Sequence, residues 1–160
     1  MLKSLLALAL TATPAFGLTC APPNFGEAFN EAAAAQEVYA LMKGRFQEAG
    51  PIPELVEGKP REFTYAFIGK QLGQSGFGDT QTLPVIVKTE CVSAWCGPVP
   101  PVDNELMVFL EQVGSDLVLT SHPCPKDYTV QPSLGQISAI RACMSKLECG
   151  PEELTALGSR

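Results

Sequence analysis

The chain has one histidine, one tryptophan and no Cys-x-x-Cys pair, and its 11 Lys and Arg are outnumbered by 17 Asp and Glu. Each shortage removes a class of function. A single histidine, His122, without a credible nucleophile partner cannot build a standard Ser-His-Asp site. It stands two residues before Cys124 with no second ligand cluster, so the chain has no metal site of its own to offer. Without Cys-x-x-Cys there is no dithiol redox motif. The formal charge of −6 becomes one unit more negative when Lys3 leaves with the leader described below. Nucleic-acid binders carry a basic face, and Lys43-Gly44-Arg45 and Lys59-Pro60-Arg61 are too small to provide one. Asp103 and Glu105 read as surface charges rather than as a catalytic carboxylate pair. The expectation is a protein that is not an enzyme and holds no cofactor. Beyond the first 17 residues no apolar run is long enough for a transmembrane helix.

What is present points to export. Lys3 followed by Leu5-Leu6-Ala7-Leu8-Ala9-Leu10 has the form of a signal peptide. Ala15-Phe16-Gly17 puts small residues at the −3 and −1 positions of a cut before Leu18. Residues 1–17 are therefore read as a leader of bacterial type, and the destination as the periplasm or the surrounding medium. A lipid on Cys20 is the less favoured alternative, because Gly17-Leu18-Thr19 fits poorly before a lipidated cysteine. All six cysteines follow the leader, and an exported chain with an even cysteine count usually forms disulfides. The pairing is open from the residues alone.

Residues 18–150 read as one domain, with residues 151–160 as a loose tail. Phe25 to Gln36 is alanine-rich and helix-prone, with Asn24 as N-cap. Val38-Tyr39-Ala40-Leu41-Met42 could continue that helix or begin a strand. Residues 48–60, rich in Pro and Gly, form a loop. Arg61 to Lys70 is a strand with Phe63, Tyr65 and Phe67 on one face. The glycines at 73, 76 and 78 make residues 71–80 a second loop. Pro84 to Lys88 is a strand running into Cys91 and the Ser93-Ala94-Trp95-Cys96-Gly97 loop. Glu105 to Val113 is apolar on both faces, as inside a closed or covered sheet, and Gly114-Ser115-Asp116 turns it into Leu117 to Ser121. Ser133 and Gln136 form a capping-box pattern. It opens a helix with Leu134, Ile137, Ile140, Met144 and Leu147 on one face, and Gly150-Pro151 stops it. Four or five short strands with a helix at each end predict a mainly β fold, the five-stranded OB-fold barrel.

The order of these features resembles the netrin-type module, and in particular the N-terminal domain of the tissue inhibitors of metalloproteinases. The resemblance rests on Cys20 at the start and on Ala28-Phe29 in a short helix. It continues in Val85-Ile86-Val87 followed by Ser93-Ala94-x-Cys96-Gly97, in Glu105-Leu106-Met107-Val108, and in a short strand ending at Cys124. It covers roughly Cys20 to Leu147. It implies a Cys20–Cys96 bridge, worth roughly 4 kcal/mol in the chain-entropy picture. Cys91–Cys124 and Cys143–Cys149 would complete the set. Two family cysteines are absent, Pro22 and Asn30 standing in their places.

The resemblance further implies a non-catalytic, protein-binding module. In the inhibitors the first cysteine's free amine and carbonyl oxygen chelate the protease zinc, and the next side chain enters the specificity pocket. By position Cys20 would chelate, Ala21 would fill the pocket with Pro22 beside it, and Ser93, Ala94 and Trp95 would flank them. That alternative, a zinc-metalloprotease inhibitor, needs Cys20 at the terminus, whereas the cut before Leu18 leaves two residues in front of it. Whether Trp95 packs on the barrel or is free for contact is left open.

Overall fold

The computed structural model describes residues 19–158; the leader and its cleavage site lie outside them. The described chain runs α1 (Phe25–Ala34), β1 (Tyr39–Glu48), β2 (Arg61–Gly73), β3 (Gly76–Thr89), β4 (Cys91–Val92), β5 (Trp95–Cys96), β6 (Leu106–Val113), β7 (Asp116–Ser121), β8 (Tyr128–Val130), α2 (Leu134–Lys146) and α3 (Pro151–Gly158).

Five strands close a barrel in the order β1-β2-β3-β7-β6, with β6 returning to β1. All neighbours are antiparallel except β3 and β7, which are parallel over Val85–Leu117 to Thr89–Ser121. This is the expected OB-fold barrel. Strand β8 adds to β6 alongside β7. The barrel closes because β1 serves two neighbours, β6 from Tyr39 to Gly44 and β2 from Met42 to Glu48. At the overlap Gly44 lies opposite Gly69. A Cβ on Gly44 would sit 2.2 Å from the Ile68 carbonyl oxygen, and one on Gly69 would sit 2.5 Å from that of Lys43. The two backbones touch there, and only glycine permits it.

The period-two pattern of the strands sorts side chains into two cores. Phe46, Phe63, Tyr65, Phe67, Val85, Val87, Leu106, Val108 and Leu110 fill the barrel. Leu41, Met107 and Phe109 face outward and are covered by Phe25 and Phe29 of α1, Ile140 of α2 and Leu157 of α3. Strand β6 is apolar on both faces because one face lines the barrel and the other lies under helices.

Four sequence expectations are corrected. Residues 71–80 are not a loop: β2 and β3 continue into a long hairpin that turns between Gly73 and Gly76. Residues 151–158 are not a tail but helix α3. Pro151 opens it, the position where a missing N–H and a fixed φ do no harm, and the Gly150 N–H donates to Glu153 Oε2 at 3.0 Å. Helix α2 ends at Lys146 with Leu147 left-handed, before Gly150-Pro151 is reached. Its apolar stripe is also narrower than expected. Ile140 is buried, whereas Leu134, 85% exposed, and Leu147 face solvent.

Helix α1 begins at Asn24, whose side chain accepts from the Gly26 N–H. It is tied to the far end of the chain by Asn30. That amide donates to the Cys149 carbonyl at 3.1 Å and accepts from the Cys149 N–H at 2.7 Å. A two-point hydrogen bond therefore joins α1 to the segment before α3. Cys149 is buried, so Asn30→Ala strands both of its main-chain groups. It is expected to cost about 2 kcal/mol in urea unfolding.

Candidate functional site

The three bridges are Cys20–Cys124, Cys91–Cys96 and Cys143–Cys149. The last agrees with expectation. Cys20–Cys96 and Cys91–Cys124 are corrected: the four cysteines exchange partners. Cys91 and Cys96 face each other across a two-stranded hairpin, with Cα atoms 3.9 Å apart. Cys20 instead reaches Cys124, just beyond β7.

Both candidate contact segments root on that β7 exit. Gly97 is pressed against it; a Cβ there would lie 1.9 Å from the Ser121 carbonyl oxygen. The Glu90 N–H donates to that oxygen at 2.9 Å and the Gly97 N–H to the Glu90 carbonyl at 2.7 Å. Ser121 Oγ donates to the Pro98 carbonyl at 2.7 Å, and His122 Nδ1 lies 3.2 Å from Glu90 Oε2. Two residues on, Cys124 holds Cys20. Ala21 and Pro22 are exposed. They line an open groove of about 450 Å³ with Pro23, Cys124 and Pro125.

The hairpin is short and stiff. Ser93 takes a positive φ of 57° at the first turn position, Ser93 and Ala94 make the turn, and Val92 pairs with Trp95. Trp95 is 57% exposed and Val92 58%, so Trp95 does not pack into the barrel. A second loop backs the hairpin. Residues 56–59 turn through an N–H to carbonyl bond from Lys59 to Val56. Gly58, at φ 68°, brings this turn so close that a Cβ there would meet the Ser93 carbonyl at 3.0 Å. The Lys59 carbonyl lies 3.7 Å from Cys96 Sγ. This loop carries Leu55, 68% exposed, and Val56, also exposed. The two loops thus put four exposed apolar side chains, Leu55, Val56, Val92 and Trp95, at one end of the barrel. Among them the sequence singles out only Trp95. The other three become visible through a loop-on-loop contact that no periodicity encodes.

Among the described residues no group of three or more His, Cys, Asp or Glu side chains could hold a metal ion. Asp103 and Glu105 line one open groove with Lys43, Arg45 and Lys70 but with no histidine; Glu105 pairs with Lys43. Asp127 is half-buried beside His122 and Tyr39. Burial raises its carboxyl pKa, while His122 and Lys126 pull the other way. The folded chain therefore holds that proton more tightly than the unfolded chain. The destabilisation is full above the folded pKa and vanishes below the ordinary aspartate range. Asp127→Asn is expected to raise the Tm at pH 7 and to leave it unchanged near pH 3 on calorimetry, because the main-chain carbonyl that accepts from Phe109 is retained.

No described helix is long and apolar enough to cross a membrane. No family model, curated protein or solved structure matches the chain, so its site is read from its own residues.

Proposed function

We propose that this protein is an exported, non-catalytic, protein-binding module whose contact surface is the loop pair carrying Trp95. The observation that carries the reading is Trp95 itself: a large aromatic ring held out to solvent on a hairpin fixed by the Cys91–Cys96 bridge and backed by the 56–59 turn. A rigid aromatic anchor loses little entropy on binding and is the commonest kind of interface hot spot. Val92, Leu55 and Val56 extend the apolar area around it. Three disulfides support export to an oxidising compartment, as does the leader-like N-terminus. The exposed Cys20-Ala21-Pro22 edge roots on the same β7 exit and is a secondary contact.

The metalloprotease-inhibitor alternative draws no support from the bridges. Its Cys20–Cys96 staple is replaced by two separate ones, and a cut before Leu18 would leave Cys20 without the free amine it needs.

Trp95 is the only tryptophan in the chain, so this chain's tryptophan emission, excited selectively over its three tyrosines, reads this surface alone. A partner isolated from the exported fraction should shift that emission to the blue on titration, and Trp95→Ala should weaken its binding about 30-fold with unfolding stability unchanged. Partner binding with no change in Trp95 emission and no loss in Trp95→Ala would overturn the assignment.

A further inference from the structure

We infer that the outer face of the β1–β2 ladder is a binding site for a small organic carboxylate, with Arg45 and Lys70 taking the carboxylate group and an apolar wall taking the rest of the molecule. The inference is independent of the Trp95 surface, which is built from other elements.

The strand register gathers the cations. Lys43 lies directly opposite Lys70, and Arg45 lies opposite Ile68. Arg45 is two residues from Lys43, so both stand on one face of β1, the face turned away from Phe46 and Phe67 inside the barrel. Opposed residues of an antiparallel pair have Cβ atoms about 5 Å apart, and two residues along a strand span about 7 Å. Three cations therefore share a patch no wider than a small molecule. Like charges set directly opposite each other destabilise a ladder, and a bound anion offsets that cost.

Two of the three cations are left uncompensated. Glu105 pairs with Lys43, and elsewhere Lys88, Lys126 and Lys146 each pair with a glutamate. Arg45 and Lys70 are exposed, and among the described residues neither has a carboxylate partner. The chain as a whole carries a formal charge of −6, so carboxylates are in excess and yet none reaches this pair.

The surroundings select the ligand. The cations line an open groove of about 450 Å³ together with Ile68, Phe77 and Ile137. That size falls within the range of small-molecule sites, which combine apolar walls with a few placed polar groups. Thr80, opposite Lys70 on β3, adds a hydroxyl to the lining. Asp103 and Glu105 also line the groove, on the β1 side, where the Asp103 N–H donates to the Phe46 carbonyl. Three cations against two carboxylates leave one net positive charge, which suits a monoanion and disfavours a dianion such as a phosphate ester. The planar fork of Arg45 matches the two oxygens of a carboxylate, and Lys70 adds a point charge beside it. Lys43-Gly44-Arg45 is too short a basic run for a nucleic-acid backbone, but one carboxylate needs no more.

Titration with phenylpropionate, followed by heteronuclear NMR, tests this. The probe should bind saturably and shift the amide signals of Gly44 and Gly69, which line the groove. Neutral phenylpropanol and cationic phenylpropylamine should each bind at least about tenfold more weakly, because neither offers the charged acceptor. Arg45→Gln/Lys70→Gln should weaken phenylpropionate about tenfold or more. Arg141→Gln, which removes an exposed cation of α2 outside this groove, should leave it unchanged. Circular dichroism checks that both variants are folded. No saturable binding of phenylpropionate at any soluble concentration would overturn the inference. So would equal binding of the alcohol, tighter binding of inorganic phosphate, undiminished binding in Arg45→Gln/Lys70→Gln, or an equal loss in Arg141→Gln.

Discussion

The Cys20→Ala/Cys124→Ala variant is expected to lose about 5 kcal/mol of stability. The bridge joins residues 104 apart, and closing a loop of that length takes a large conformational entropy out of the unfolded chain. Cys91→Ala/Cys96→Ala, which spans a separation of only 5, should cost about 2 kcal/mol by the same reasoning. The ratio between the two is more informative than either value, because strain affects both. Urea unfolding of the two double variants measures it. Under the pairing implied by the family resemblance each double variant would break two bridges and leave two lone thiols, so peptide mapping of the unreduced protein separates the cases. The local consequence also differs. Loss of Cys20–Cys124 frees the Cys20-Ala21-Pro22 edge but leaves Trp95 on its hairpin. Loss of Cys91–Cys96 loosens Trp95.

Gly44→Ala is expected to cost about 3 kcal/mol or more. The added carbon would land 2.2 Å from the Ile68 carbonyl oxygen and 2.5 Å from the Gly69 Cα. Both are main-chain atoms of the strand paired with Gly44, so no side chain can swing aside to make room. Relief requires β1 and β2 to separate where β1 passes from one partner to the other, which is where the barrel closes. Gly50→Ala serves as the control: nothing lies within 4 Å of its would-be Cβ, and its effect should be within about 0.5 kcal/mol. Equal losses in the two variants would mean that the Gly44–Gly69 contact is not what closes the barrel.

The parts of the fold that were legible in the sequence are those where burial imposes a period. Phe63, Tyr65 and Phe67 alternate because they line the barrel. The two-faced apolarity of β6 follows from its place between barrel and helices, and Asn24 and Ser133 cap their helices as their chemistry predicts. The outer half of the β2–β3 hairpin was illegible because β3 buries neither face there; Gly78, Asp79, Thr80 and Gln81 carry no alternation to read. Helix α3 was hidden because Gly-Pro signals a helix stop and a helix start alike. The swapped bridges were hidden because a pairing follows from which segments tertiary folding brings together. Gly97 against Ser121, and hence Cys124 within reach of Cys20, is not a local property. At the site, Trp95 stood out as a residue type on a constrained loop. Leu55 and Val56 did not, since their segment was legible only as a Pro- and Gly-rich loop.

The central claim is that the Trp95 surface is where a protein partner sits. The most direct measurement replaces Trp95 by an aromatic photo-activated cross-linking side chain, which keeps a ring at the contact, and, in a separate variant, places the same side chain at position 134, where Leu134 is the most exposed of the described large apolar residues. Both are expressed in the native host, irradiated and analysed for protein adducts. The account predicts one discrete adduct from position 95, lost when Leu55 and Val92 are changed to serine, and none from position 134. Adducts of equal yield from both positions, or none from position 95 in cells where the protein is exported and folded, would contradict it.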